Sequence, residues 1–251
     1  MNSLRTVFKL QEHVLDCAEK QNPTAGVREH ITKIRQSIAD VNDDMKSKSP
    51  NEQDSTDKLI KYFKLMTDKT YQMHILNKCP NEIIQVHIKG FSSLKPRLMH
   101  MKTDLKTRMK GLNAKTKISP LTKEGHQYIQ ILSKQLIGFN NNLSELLQCA
   151  SKTATTSISD HIKQMEILNN GIMKHVDTLN SSKTVNDMIN HAYSAVVMLV
   201  DMASLATSQK YLKHVYKNCQ NEIYNANAAN INRTINMISM FAKQVKKNTS
   251  K

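Results

Sequence analysis

"HILNKCPNEI", residues 74–83, is answered further along the chain by "HVYKNCQNEI", residues 214–223. His, Cys and Asn-Glu-Ile recur at one spacing, an offset of 140 residues. Around the cluster the match continues. Leu65 faces Leu205, Thr67 faces Thr207 and Tyr71 faces Tyr211, and downstream Phe91, Leu98, Met101 and Leu105 face Ile231, Ile238, Phe241 and Val245. The second pair of cysteines also corresponds. "VLDCAEK" (14–20) is matched by "LLQCASK" (146–152) at an offset of 132, and "VREHI" (27–31) by "ISDHI" (158–162) at 131. Ordered matches of this kind are the mark of an internal repeat. They predict a tandem duplication, 1–118 and 119–251, with about four helices in each copy. The later growth of the offset places an insertion between the second and third helices of the second copy.

Composition points to helix. The 251 residues contain 5% aromatics, no Trp, six Gly and five Pro. Leu, Met, Lys, Gln and Asn dominate, and these favour helix over strand. So few turn-forming residues exclude an all-β fold. The expected fold class is all-α, two helical-bundle repeats with long helices.

Apolar residues at helical spacing mark the segments. The first runs from Leu4 to Gln21 and "NPTAG" (22–26) ends it; the second runs from Val27 to Met45. A third starts at a cap from Asp54 or Ser55 and continues to Lys78. After Pro80 a helical stretch is expected to break near Gly90–Pro96 and resume to Lys110. "GLNAKTKISP" (111–120) reads as a linker. Further helices are expected over Leu121–Lys152, Ser159–Leu179, Thr184–Thr207 and Ser208–Lys246, the last passing through Gln220 without a break.

The cysteines lie on apolar stripes, Cys79 with Ile75, Ile83 and Val86, and Cys219 with Val215, Ile223 and Ala226. A buried thiol packs well there. The bland reading is a core Cys beside a surface His. A metal site of His74, Cys79 and Glu82 is disfavoured because neither copy has paired-ligand spacing, so no metal and no cofactor are expected. Matching bridges, Cys17–Cys79 and Cys149–Cys219, are the rival to free thiols. The N-terminal residues carry charges throughout and lack the apolar run of a signal peptide, which points to an intracellular protein with free thiols. A mature secreted form with its signal removed would look the same. The longest apolar stretch, "AYSAVVMLVDMASLA" (192–206), is short for a membrane span and contains Asp201.

No Gly-rich phosphate loop, nucleophile elbow or paired-carboxylate pattern occurs, so no catalytic residue is expected. Charge is the stronger signal. Net charge is +15. Residues 89–123 hold ten Lys/Arg against Asp104 alone. The candidate anion-binding residues are Lys95, Arg97, Lys102, Lys106, Arg108, Lys110, Lys115 and Lys117, beside an apolar stripe of Leu98, Met101, Leu105, Met109 and Leu112. A basic amphipathic helix of this kind contacts acidic lipid heads or phosphates. Equally, its lysines can simply solvate the outer face of a packed helix. Phe91 is the sole aromatic there, so base-specific reading of nucleic acid is not expected. The functional expectation is a non-enzymatic interaction protein with an anionic membrane or nucleic acid as partner. The alternative is a carrier of an apolar ligand inside a helical bundle, secreted with two disulfides.

Overall fold

The computed structural model describes residues 2–47, 52–115, 120 and 122–249. Among these residues the chain is all-α, with ten helices and no strand. They fall into two compact units, one of residues 1–86 with 220–251 and one of residues 87–219.

The first unit contains α1 (Asn2–Lys20), α2 (Ala25–Lys46), α3 (Glu52–Leu65), α4 (Lys69–Lys78), the opening turns of α5 (Pro80–Lys115), and α10 (Gln220–Thr249). Asn22 sits at φ 50° between α1 and α2, a left-handed conformation that Asn tolerates better than most residues. Pro23 follows, and the Thr24 hydroxyl caps α2 by accepting from the Val27 amide. The buried residues of α2 include Val27, Ile31, Ile34, Ile38 and Val41, the i, i+3, i+4 spacing of a single face. They pack with Phe8, Val14, Leu15 and Ala18 of α1 and with Tyr62, Tyr71 and Ile75. Phe8 meets Tyr62 edge-on, with ring centroids 5.1 Å apart. Truncating a fully buried member such as Ile31 to Ala costs about 2–5 kcal/mol. α10 closes this unit by packing on α3 and α4, where the Lys69 ammonium lies 5.6 Å from the centre of the Tyr224 ring.

The second unit contains the rest of α5, α6 (Lys123–Lys152), α7 (Thr156–Asn180), α8 (Val185–Ala206) and α9 (Gln209–Asn218). α7 is its centre and packs on α6 and α8. Its buried residues are Ile158, Ile162, Met165, Asn169, Ile172, Val176 and Leu179. Their alternating steps of four and three make a heptad-like seam, polar at Asn169 alone. α5 joins through Phe91 and Leu98, which pack with Leu199, Val200 and Ala203 of α8. These compact units are defined by packing, whereas 1–118 and 119–251 are defined by sequence likeness. The two divisions differ because α5 and α10 each pack with helices of the other sequence half.

Several boundaries differ from expectation, which accounts for ten helices rather than about eight. The segment expected to end at Lys78 is two helices. The Asp68 carboxylate accepts from the Tyr71 amide at 2.7 Å and starts α4 afresh. The expected break near Gly90–Pro96 is absent, and α5 runs through Pro96. One missing backbone donor is tolerated on an exposed helix whose neighbours continue the ladder. Conversely, Gln220 does not carry its helix through. Cys219 ends α9 at φ −126°, ψ 42°, as Cys79 ends α4 at φ −126°, ψ 40°. Proline is therefore not what breaks the chain at Cys79. The apolar stretch 192–206, by contrast, lies in α8, which matches the helix expected over Thr184–Thr207. At 22 residues, α8 is the one helix among the described residues long and apolar enough to cross a membrane. It also buries Ile189, Ala195, Val196, Val200, Met202, Ala203 and Ala206, as a core helix does.

Candidate functional site

The repeated cluster is a joint between helices. Cys17 of α1 is bonded to Cys79 at the end of α4, and Cys149 of α6 to Cys219 at the end of α9. The Cα atoms are 6.0 and 5.9 Å apart, within the range a bridge requires. Free thiols, expected from the lack of a signal-peptide pattern, are thus replaced by bridges. The repeat placed the two cysteines of each copy in neighbouring helices, whereas the choice of free thiols rested on the N-terminal residues alone. Both junctions close the same way. The Cys79 amide donates to the Ile75 carbonyl and the Cys219 amide to the Val215 carbonyl, each at 2.8 Å.

The histidines of the cluster are also structural. His74 Nε2 lies 3.1 Å from the Ala18 carbonyl, and His214 Nε2 3.1 Å from that of Ala150. A carbonyl only accepts, so Nε2 carries the proton in both. At His214 the Asn218 amide donates to Nδ1, which fixes that tautomer. These bonds satisfy carbonyls at the last turns of α1 and α6. The expectation of a surface His therefore fails: His214 is buried and His74 half-buried. A second histidine in each unit plays the same part. His30 Nε2 meets the Leu65 carbonyl at 2.8 Å and His161 Nε2 meets that of Leu205 at 2.9 Å. Their rings lean on Tyr71 and Tyr211, both with centroids 5.4 Å apart. Glu82 brings a carboxylate oxygen within 4.8 Å of the sulfurs of Cys17 and Cys79. Those sulfurs are bonded to one another, so what it approaches is a disulfide, without a thiolate to bind metal.

The basic segment lies on α5, in the second unit. Lys95, Arg97, Lys106, Arg108 and Lys110 are exposed and Lys102 is half-buried. Leu98 is buried, Leu105 and Met109 are half-buried, and Met99 and Met101 remain 44% and 50% exposed. Asp104, the lone acid, pairs with Arg108 at 3.0 Å. Lys115 is the last residue of α5, while Lys117 lies outside the described residues. Near the start of the same helix His87 stacks on Phe91, with centroids 4.7 Å apart. Burial there pushes the His87 imidazole down to about 4.

What these features define, among the described residues, is an all-α helical protein with two bridged helix junctions and a basic segment on α5. The chain matches no protein family, no curated protein and no solved structure.

Proposed function

We propose that this is a non-enzymatic protein, built by tandem duplication, that binds an anionic lipid surface through the outer face of α5. The supporting observation is the charge along that helix, whose exposed cations lie on both flanks of its apolar stripe. Five exposed cations stand against one acid already paired to Arg108, with Met99 and Met101 exposed on the same helix. Cationic heads with partly exposed apolar side chains suit the boundary between lipid headgroups and acyl chains. The duplication is supported by the paired bridges, the paired histidine bonds and the equal dihedrals of Cys79 and Cys219. The bridges also support an oxidising compartment.

Cosedimentation with vesicles tests the reading. The protein is expected to pellet with vesicles rich in phosphatidylserine, to ignore phosphatidylcholine vesicles, and to be released by salt. Binding indifferent to salt, or preference for duplex DNA over vesicles at equal salt, would overturn it.

A second reading is a secreted carrier of an apolar ligand, and the two bridges are what favour it. Its test is native mass spectrometry of the protein as purified, where a copurified lipid is the expected result.

A further inference from the structure

Between α6 and α7 lies a groove of about 390 Å³, lined in part by Ser144, Gln148, Ser151, Lys152, Glu166 and Asn169. At the sequence offsets already given, the same place in the first unit is filled. There Arg35 of α2 reaches Asp16 at 2.8 Å, Glu19 at 3.1 Å and Glu12 at 3.3 Å, all on α1. The counterparts of those three acids are Ser144, Gln148 and Ser151, and the counterpart of Arg35 is Glu166. The cation that plugs the first groove is therefore missing from the second. A half-buried carboxylate without an ion pair among the described residues stands where its side chain would start.

The packing at and behind the groove has changed as well. Asn169 occupies the seam position of Ile38, and Asn140 that of Phe8. Both Asn are buried, at 2% and 1% exposure. Asn169 Nδ2 donates to Ser144 Oγ at 2.7 Å, but Asn169 Oδ1 has no partner. Burying an amide oxygen unpaired in a helix seam costs about 1–3 kcal/mol. An Asn kept only to set helix register would have its amide paired, so register alone does not account for it. Glu166 and Asn169 Oδ1 are both acceptors and both line the groove without a donor among the described residues; the other unpaired amide group, Asn140 Nδ2, is a donor and is not part of the lining.

We propose that this groove binds a guanidinium group supplied by a ligand, which occupies the space that Arg35 fills in the first unit. Glu166 takes it as a forked charge-assisted pair. Asn169 Oδ1 and the Ser144 and Ser151 hydroxyls accept its remaining protons. Lys152 also lines the groove, and its sequence counterpart Lys20 directly follows Glu19, one of the three acids that hold Arg35.

The test is titration of the full-length, oxidised protein with argininamide, followed by amide NMR shifts and calorimetry. Citrullinamide, the neutral isostere, serves as the second probe. Argininamide is expected to bind saturably, shifting signals of α6 and α7. Citrullinamide and the Glu166→Gln variant are each expected to weaken binding by ~10-fold or more, the loss of one charge-assisted pair. Asn169→Leu is expected to abolish binding while holding or raising the melting temperature, which separates loss of the site from loss of the fold. Absence of saturable binding, equal binding of the two probes, or binding unchanged in Glu166→Gln would each overturn the assignment.

Discussion

His214 donates its Nε2 proton to the Ala150 carbonyl across 3.1 Å, and Ala150 is the neighbour of Cys149 in the Cys149–Cys219 bridge. The bond and the bridge therefore clamp the same two helix ends. His74 and Ala18 repeat the arrangement beside Cys17–Cys79, again at 3.1 Å. The two histidines differ in surroundings. His214 is buried and held by Thr153 and Asn218 as well, whereas His74 is half-buried.

This difference predicts unequal costs. His214→Ala removes a buried ring together with its bonds to the Ala150 carbonyl, Thr153 and Asn218, at about 2–3 kcal/mol. His74→Ala lets water reach the carbonyl and costs about 1 kcal/mol. Urea denaturation of both variants checks the order; equal midpoints would contradict it.

Each bridge closes a long loop, with sequence separations of 62 and 70 residues. Chain-entropy arguments give about 4 kcal/mol per bridge at these lengths. Reducing the protein, or replacing Cys17 and Cys79 together by Ser, should lower the denaturation midpoint accordingly. Intact mass after alkylation without reductant checks the premise: no alkylation is expected before reduction, and four additions after it.

Some of this architecture was legible in the sequence and some was not, for physical reasons. The stripe Val27, Ile31, Ile34, Ile38 and Val41 showed α2 because burial of one helix face leaves a period in the sequence. The pairing of Cys17 with Cys79 could be offered as a rival to free thiols because its counterpart recurs at Cys149 and Cys219. The helix end at Cys219 was not, since Gln220 is a good helix former and the break comes from the backbone of a cysteine fixed by tertiary structure. The burial of His214 was equally hidden: its partner Ala150 is remote in sequence, and a carbonyl leaves no signature. Asn169 stood in plain view on an apolar stripe. That its Oδ1 lacks a partner depends on the neighbouring α6, which the sequence of α7 does not show.

His87 makes stability depend on pH. Its folded value falls from the ordinary 6.5 to about 4 through burial. The folded state thus favours the neutral ring and binds fewer protons than the unfolded chain between those values. This contribution is fully present above about pH 6.5 and is lost as pH falls towards 4, up to about 3 kcal/mol. His87→Phe keeps a ring against Phe91 and does not titrate. Urea midpoints at pH 7 and pH 4.5 should differ less in that variant than in the wild type; an unchanged difference would assign the titration elsewhere.

The basic face of α5 can be separated from the net charge of the chain. Lys106 and Lys110 are exposed on α5, and Lys9 and Lys61 are exposed in the first unit. Each lysine near an anionic bilayer contributes about 1 kcal/mol. Lys106→Gln with Lys110→Gln should therefore weaken binding to phosphatidylserine vesicles by ~30-fold. Lys9→Gln with Lys61→Gln lowers the net charge of the chain by the same amount but leaves the face intact, so its binding should stay near that of the wild type. The salt dependence should flatten in the first double variant alone. If both double variants lose affinity equally, the attraction belongs to the whole positive chain and α5 has no special part in it.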